Sequence, residues 1–344
     1  MTSDLDIGLI GAGWAAGEHA ASIAAISGAR IRSVFDLDAG ACAALAGSLG
    51  AAPAGSLDAL LSSGVDAVIV STPSGAHREA VVRALEMGKA VFVEKPLSRS
   101  SEDAWAIVEA AERTGVTCAV GYQWRAIDNL APIERDLACS RPALLVSQGV
   151  GITQARNWFK DDRLSGGLIF ERVSHHIDLQ RKIAGEVAVV AAVNGGIALS
   201  GRQDGADTAQ DVLSLTLRFL SGAVGVIAVG WAPEGYPPTQ SLAIHTTGTS
   251  FDIALDPDFR VTDKSGPVGA PAVAEHPFRR QMRCFLEAVR RKDPSLVRCS
   301  ARDAAGTVEV ALAAAASLAA AGAPQPVPDT AASGSPDDNR GLPA

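Results

Sequence analysis

The sequence lacks the paired cysteines of a zinc site or a disulfide framework. Its five cysteines are scattered over 344 residues, and no two of them form a C-x-x-C pair. Zinc sites and disulfide-rich scaffolds need thiols at close, regular spacing. We therefore expect no bound metal, and we interpret the cysteines as small hydrophobic residues of the interior.

A surplus of basic residues is also lacking. Lysine and arginine number 30 against 38 aspartate and glutamate residues, which gives a formal net charge of −8. Nucleic acids and anionic lipid surfaces are bound by clustered positive charge. The composition therefore predicts a protein without a nucleic-acid partner.

The chain has no pattern typical of a secretory signal or a membrane span. Asp4 and Asp6 stand where a signal peptide would carry basic residues, and Gly8 interrupts the apolar run that would follow. The most apolar late stretch, residues 304–322, is rich in alanine and contains Glu309, which disfavours a membrane span. We therefore expect a cytoplasmic protein with no membrane partner.

The length and the patterning of the chain predict two domains and a tail. A chain of 344 residues can form two cores of ordinary size. We place the first domain at residues 1–123 and the second at residues 124–322. Residues 323–344 are rich in proline, glycine and serine, so we expect a disordered tail there.

Short β-rich runs alternate with helical patterns in the first domain. A buried strand at residues 67–71, for example, is followed by a helix at residues 76–87. This alternation is typical of βαβ units. It predicts an α/β fold with a doubly wound parallel sheet of the Rossmann type.

The second domain is predicted to be an α/β domain with a mainly antiparallel sheet. Residues 212–219 alternate apolar and polar side chains and meet a turn at Leu220-Ser221-Gly222, which predicts a hairpin. Further strands are expected at residues 187–193, 241–247 and 251–255. One face of such a sheet is open and needs a cover, so we expect a homodimer or homotetramer formed through it.

A glycine-rich motif follows the first predicted strand. Gly11-Ala12-Gly13-Trp14-Ala15-Ala16 matches the pattern G-x-G-x-x-[G/A]. Gly11 permits a tight turn, Gly13 lets the backbone approach a pyrophosphate, and Ala16 allows close helix packing. The unsatisfied amides that open the helix would face the phosphates. The motif predicts a dinucleotide site, with a plain glycine-rich turn as the alternative.

Asp36 ends the second predicted strand, about 20 residues after the motif. An acid at this point accepts hydrogen bonds from the adenosine ribose hydroxyls and repels a 2′-phosphate. The sequence therefore favours NAD, with NADP possible. The alternative is that Asp36 caps the next helix.

Three later motifs resemble those of a known family. They are Ser71-Thr72-Pro73-Ser74-Gly75-Ala76-His77, Glu94-Lys95-Pro96, and Glu171-Arg172-Val173-Ser174-His175-His176-Ile177-Asp178. With the glycine motif, and in this order and spacing, they resemble the glucose-fructose oxidoreductase/inositol dehydrogenase (Gfo/Idh/MocA) oxidoreductases. The resemblance covers nearly everything before the tail.

The resemblance implies that Lys95 lies beside the nicotinamide and contacts the reacting hydroxyl. A cation there can hold the substrate oxygen, polarise it or move its proton. Further cofactor contacts are implied for Ser71, Thr72, Pro73, His77, Glu94 and Gln123. We interpret His77 and His19 as supports of the cofactor site rather than acid–base groups.

Glu171, His175 and Asp178 lie at positions i, i+4 and i+7 of a predicted helix and would share one face. Relatives typically carry D-x-x-x-H-x-x-D here, so the resemblance implies that His175 exchanges a proton with the substrate hydroxyl. We expect Glu171 and Asp178 to orient His175 or to bind neighbouring hydroxyls, with Glu171 part of the catalytic group. Glu171 stands where many relatives carry aspartate, so no particular sugar specificity is carried over.

The loop before Ser165-Gly166-Gly167 offers two more substrate contacts. Trp158 could stack on a sugar ring, and Arg163 could bind a polar substituent. Packing of Trp158 between the domains is the alternative.

These features predict hydride transfer between NAD and a secondary alcohol of a sugar, inositol or related polyol. Two alternatives stay open. One is a redox-neutral glycosidase or epimerase-like enzyme that retains NAD, and the other is a non-catalytic regulator that senses a dinucleotide. The presence of both Lys95 and His175 argues against the regulator.

Overall fold

The computed structural model describes residues 4–127, 130–152, 165–195, 211–232, 237–256, 258–268 and 275–329. The strands are β1 (Leu5–Ile10), β2 (Ala29–Phe35), β3 (Ala52–Pro53), β4 (Ala67–Val70), β5 (Ala90–Val93), β6 (Cys118–Val120), β7 (Pro142–Ile152), β8 (Val187–Asn194), β9 (Val212–Phe219), β10 (Val224–Ala232), β11 (Thr239–Thr246), β12 (Ser250–Ala254), β13 (Arg260–Asp263), β14 (Gly266–Val268) and β15 (Gln325–Pro326). The α-helices are α1 (Trp14–Ala24), α2 (Ala39–Leu49), α3 (Leu57–Leu61), α4 (His77–Glu86), α5 (Ser101–Thr114), α6 (Ala131–Leu137), α7 (Ser174–Ala184), α8 (Pro277–Arg291) and α9 (Ala301–Ala319).

The first sheet has six strands in the order β3-β2-β1-β4-β5-β6, and all of its pairings are parallel. β4 and β5 are apolar along their whole length because helices cover both faces of the sheet. This arrangement confirms the predicted doubly wound Rossmann sheet. The strand order reverses between β1 and β4, and such a switch point opens a crevice at the carboxyl ends of the strands.

The second sheet has nine strands in the order β14-β13-β12-β11-β7-β10-β9-β8-β15. All of its pairings are antiparallel except that of β7 with β10. Leu213, Leu215 and Leu217 alternate along β9 and lie in the core beneath α7 and α9. On the opposite face, Leu144 of β7 and Val224 of β10 are paired and exposed, as expected of an open face, and the predicted mainly antiparallel sheet is confirmed.

The last two long helices return to the first domain, which a division of the chain at residue 123 does not anticipate. Met282, Phe285 and Leu286 of α8 join the core on one face of the first sheet. Helix α9 packs on both domains, with Ala304 in the core of the first and Val310 in the core of the second. The apolar spacing of a helix predicts that it is buried but not which sheet covers it.

Residues just after α9 are ordered, whereas the sequence predicted a disordered tail from residue 323. Gln325 pairs with Val190 of β8, and the amide of Val327 donates to the carbonyl of Ala188 at 3.0 Å. A short edge strand tolerates proline because one side of its backbone needs no partner. Residues 330–344 lie outside the described residues.

The acid in α9 has a structural partner. Glu309 is buried and accepts a hydrogen bond from the indole Nε1 of Trp105 at 2.8 Å, and a second one from the hydroxyl of Ser101. These bonds tie α9 to α5. None of the described helices is both long and apolar enough to cross a membrane.

Candidate active site between the two domains

The glycine loop between β1 and α1 forms one wall of a cleft at the carboxyl end of the first sheet. Gly11 has a φ angle of 101°, and a Cβ atom there would lie 2.9 Å from the backbone of Ser71. Gly13 is the N-cap of α1, has no side-chain cap, and has no atom within 4 Å of a Cβ placed on it. The first amides of α1 are therefore open to an anion such as a pyrophosphate.

Asp36 is held against this loop by two backbone amides. Its Oδ2 accepts a hydrogen bond from Ala12 at 2.6 Å, and its Oδ1 accepts one from Asp38 at 2.8 Å. The carboxylate keeps further lone pairs for ribose hydroxyls. Asp38, not Asp36, caps α2, so the alternative role of Asp36 as a helix cap is wrong.

A cavity of about 330 Å³ follows the loop. Volumes of this size are typical of small-molecule sites. Its lining includes most of the predicted cofactor residues, namely Gly11, Gly13, Trp14, Ala15, Asp36, Ser71, Thr72, Pro73, Glu94 and Lys95, together with Glu171. These residues therefore fit a dinucleotide, with the glycine loop at one side and Lys95 at the other.

Three predicted cofactor residues, Ala16, His77 and Gln123, do not line this cavity, and Gln123 lines a neighbouring one instead. Ala16 is fully buried and serves the close helix packing expected of it. His77 is buried as well, with Nε2 2.9 Å from the carbonyl oxygen of Thr72 and Nδ1 3.2 Å from that of Leu97. His77 therefore does not line the cavity, and its ring links the two loops that shape it.

Glu94 is held at the bottom of the cleft by two donors. Its Oε1 lies 2.7 Å from Nε2 of His19, and its Oε2 accepts the backbone amide of Lys95 at 3.1 Å. Burial alone would raise the pKa of Glu94, but the bond from His19 and the charge of Lys95 outweigh burial and lower that pKa. Glu94 is therefore an ionised support under Lys95.

Lys95 forms an ion pair that reaches across the domains. Its ammonium donates to Glu171 Oε2 at 3.0 Å and to the carbonyl oxygen of Glu171 at 3.1 Å. Only 15% of the Lys95 side chain and 9% of the Glu171 side chain are exposed. These two hydrogen bonds hold the ammonium at one point where the two domains meet. The peptide bond between Lys95 and Pro96 is cis.

His175 lines a second cavity, of about 600 Å³, which adjoins the first at Lys95 and Glu171. Its ring packs against Trp124, with 5.0 Å between the centroids, and its Nδ1 atom is buried without a hydrogen-bond partner among the described residues. Burial and the nearby charges of Lys95 and Arg172 hold the pKa of His175 well below its usual value. A neutral ring at pH 7 is able to accept a proton.

A π-helical turn, Ile169–Val173, precedes α7. Glu171, Arg172 and His175 all line the second cavity. Neighbours in an α-helix point about 100° apart, and a π-turn widens the helix, often at functional sites. Glu171 and His175 share the cavity as predicted. Arg172 was not predicted to join them, because α-helical spacing places it on a different face from Glu171 and His175.

Asp178 lies away from the cavity, contrary to prediction. It is 1% exposed, and its Oδ2 accepts a hydrogen bond from Arg125 Nε at 2.8 Å. Its Oδ1 accepts one from the hydroxyl of Thr307 in α9 at 3.2 Å. Asp178 is nearly one turn beyond His175 and faces α9, so it anchors the helix instead of binding a substrate.

The remaining predicted contacts have mixed outcomes. Gln123 lines the second cavity, and its Oε1 is buried with no hydrogen-bond donor in the described part of the chain. Trp158 and Arg163 lie outside the described residues. Trp231 and Arg279 also line the cavity, but they come from distant parts of the chain in which the sequence shows no motif.

Among the described residues, no cluster of His, Cys, Asp or Glu is arranged to hold a metal ion.

Parts of the chain are similar to curated enzymes. The 2,7-anhydro-N-acetylneuraminate hydratase of Escherichia coli (strain K12) is 32% identical over 55% of this chain and 51% of its own length. The scyllo-inositol 2-dehydrogenase (NAD(+)) of Bacillus subtilis (strain 168) is 28% identical over 54% of each chain. This chain thus spans about half the length of these curated relatives.

A solved structure of levoglucosan dehydrogenase with NADH and levoglucosan superposes with a TM-score of 0.82 at 20% identity, over 95% of this chain and 100% of that one. Such a likeness shows a shared fold. Residues 5–122 match the model of an oxidoreductase family with an NAD-binding Rossmann fold, and residues 143–252 match the GFO/IDH/MocA C-terminal domain. The resemblance noted from the motifs is confirmed, and the chain belongs to the GFO/IDH/MocA oxidoreductase family, with an NAD-binding Rossmann domain as its first part.

Proposed function

We propose that the protein transfers a hydride between NAD and a secondary alcohol of a sugar, inositol or related polyol. The observation that supports this is the meeting of Lys95, Glu171 and His175 at the inner end of the dinucleotide cleft. Relatives named scyllo-inositol 2-dehydrogenase and levoglucosan dehydrogenase agree with it. A diffusible nicotinamide cofactor also fits the cytoplasmic location expected from the sequence.

Each wall of the cleft would bind a different part of the dinucleotide. The amides that follow Gly13 would bind the pyrophosphate, and Asp36 would bind the adenosine ribose. Trp14, Ala15, Ser71, Thr72, Pro73, Glu94 and Gln123 would line the rest of its path. When bound, the dinucleotide supplies the hydride acceptor.

The side chains between the domains would bind the substrate hydroxyl and accept its proton. The ammonium of Lys95, held by Glu171, would bind and polarise the hydroxyl oxygen. His175 would take the hydroxyl proton, because its lowered pKa keeps the ring neutral at pH 7. Lys95 and Glu171 would therefore position the alcohol, and His175 would act as the base.

The direct test is the absorbance of reduced nicotinamide while the purified protein and NAD⁺ are supplied with inositols, aldoses, anhydrosugars or sugar acids. A steady rise with one class of substrate would support the proposal. No rise with any class, while dinucleotide binding is intact, would contradict it.

A redox-neutral enzyme that retains NAD is a second candidate, because one of the relatives is named a hydratase. Such an enzyme would oxidise and then reduce the same molecule within one cycle. It would convert an anhydrosugar or an epimer without a net change in NADH. Chromatography of the products beside the absorbance record separates the two candidates.

Replacing Asp36 by serine is expected to lower the preference for NAD over NADP by about 10-fold or more, since a hydrogen bond to a charged group contributes roughly 1.5–3 kcal/mol. The ratio of kcat/KM for the two cofactors measures this change. Asp38→Ser is the matched control, because Asp38 caps α2 and does not line the cavity. An unchanged ratio in Asp36→Ser would show that Asp36 does not select the cofactor.

The open face of the second sheet would bind a second copy of the chain, giving a homodimer or homotetramer. Leu144 and Val224 are 37% and 39% exposed and occupy paired positions on β7 and β10, and Val146 pairs with Val226 beside them. We expect Val226→Asp to shift the protein towards monomer in light scattering at micromolar concentration. Leu220→Asp, at an exposed hairpin turn, is the control. A monomeric wild-type protein would contradict this assembly.

A further inference from the structure

Arg172 places a guanidinium group in the second cavity, and no partner for this group is found among the described residues. It lines the same cavity as Lys95, Glu171 and His175. Its Nε is buried, and the group has no hydrogen bond or ion pair with the described residues. The side chain packs flat on the backbone of β7, where a Cβ on Gly151 would lie 2.4 Å from its Nε, Cζ and Nη2 atoms.

Four acids among the described residues line this cavity, and none of them forms an ion pair with Arg172; Glu18 is exposed on α1. Glu171 is paired with Lys95, and Glu94 is bonded to His19 and to the amide of Lys95. Asp256 exerts an attraction on Arg172 but forms no ion pair with it, and burial lowers the pKa of Arg172 despite that attraction. Buried charges in proteins are normally paired, so the cavity is built to receive a negative charge from a ligand.

We infer that Arg172 binds a carboxylate of the substrate, which makes the substrate a hydroxy acid such as a sugar acid. This inference rests on the proposed function and narrows its substrate class. The planar guanidinium of arginine matches the two oxygens of a carboxylate, as in bidentate pairs within proteins. Arg172 and Glu171 share one π-helical turn, so the acid group and the hydroxyl bound by Lys95 can belong to one small molecule.

The test measures binding before it measures turnover. NADH-loaded protein is titrated calorimetrically with D-glucuronate, D-galacturonate and D-gluconate, and with D-glucose, D-galactose and glucose 6-phosphate as matched ligands. We expect at least one of the acids to bind at least 10-fold more tightly than its neutral partner. In Arg172→Gln that advantage should fall to less than 3-fold, and Arg172→Lys should keep part of it.

Arg279→Gln is the matched control, because Arg279 lines the same cavity but is exposed to solvent. We expect its effect on acid binding to stay within 3-fold, and NADH affinity to be unchanged in every variant. The assignment would be overturned if the neutral sugars bound as tightly as the acids, if the phosphate bound more tightly, or if Arg172→Gln kept the preference. It would also be overturned if Arg279→Gln lost more acid binding than Arg172→Gln.

The two proposals fail in different ways. An acid that binds through Arg172 but is never oxidised would contradict the dehydrogenase and leave the carboxylate site standing. Oxidation of neutral polyols alone would support the dehydrogenase and overturn the carboxylate site.

Discussion

Replacing His175 by alanine or Lys95 by methionine is expected to lower kcat/KM for alcohol oxidation by about 10²–10⁴-fold, the usual contribution of a positioned acid–base group. His175→Ala removes the base, and Lys95→Met removes the cation that holds the hydroxyl. Dinucleotide binding should change little, since the glycine loop and Asp36 are untouched. Initial rates of NADH formation and a dinucleotide titration by fluorescence measure the two effects.

His176→Ala is the matched control for this prediction. His176 is buried, and its Nε2 is 2.8 Å from Gln240 Oε1. It does not line the cavity beside His175. We expect the control to lose stability while its turnover stays within a few-fold of wild type. Turnover near wild type in His175→Ala would refute the proposed base.

The pH profile gives a second view of the same residue. Because burial and the charges of Lys95 and Arg172 lower the pKa of His175, the ring stays neutral below the ordinary histidine value of about 6.5. Oxidation should therefore fall only at more acidic pH, as the ring becomes protonated. Lys95→Met removes one of those charges, so the fall in its residual activity should move to higher pH.

Replacing Asp178 by asparagine is expected to lower the free energy of unfolding by about 3–5 kcal/mol, the usual cost of removing one partner of a buried ion pair. The Arg125 side chain is 5% exposed and would keep its charge with little solvent to replace the lost carboxylate. Its remaining acidic contact is with Asp303, at 3.3 Å. Denaturant unfolding followed by circular dichroism measures the change.

A double variant separates charge from packing. Arg125→Met combined with Asp178→Leu removes both charges, and such replacements are often close to neutral. We therefore expect the double variant to be more stable than Asp178→Asn. Asp178→Asn with the stability of wild type would show that this ion pair does not hold α7 in place.

Features that depend on neighbouring residues could be predicted from the sequence. The strand–turn–helix around Gly11 and the hairpin of β9 and β10 are local patterns, and each occurs at the predicted position within a few residues. The cofactor cleft followed from them, because parallel strands bring their carboxyl ends together.

Features that depend on contacts between distant parts of the chain could not be predicted from the sequence. Asp178 has the right spacing from His175, but the spacing cannot show that Arg125 and α9 lie on that side of the helix. Arg172 was missed because a π-turn changes the face on which it lies. Helix α9 contacts elements of both domains that lie more than 100 residues away in the sequence. Hydrophobic periodicity describes only local structure and cannot predict such contacts.

The packing of α8 has a consequence for the growing chain on the ribosome. The first sheet is complete at Val120, but one of its faces needs Met282, Phe285 and Leu286 of α8. At 5–20 residues per second, roughly 10–30 seconds pass between the synthesis of β6 and that of α8. During that interval the nascent Rossmann domain exposes the apolar face that α8 later covers, and an exposed face of this kind favours aggregation or the binding of a chaperone.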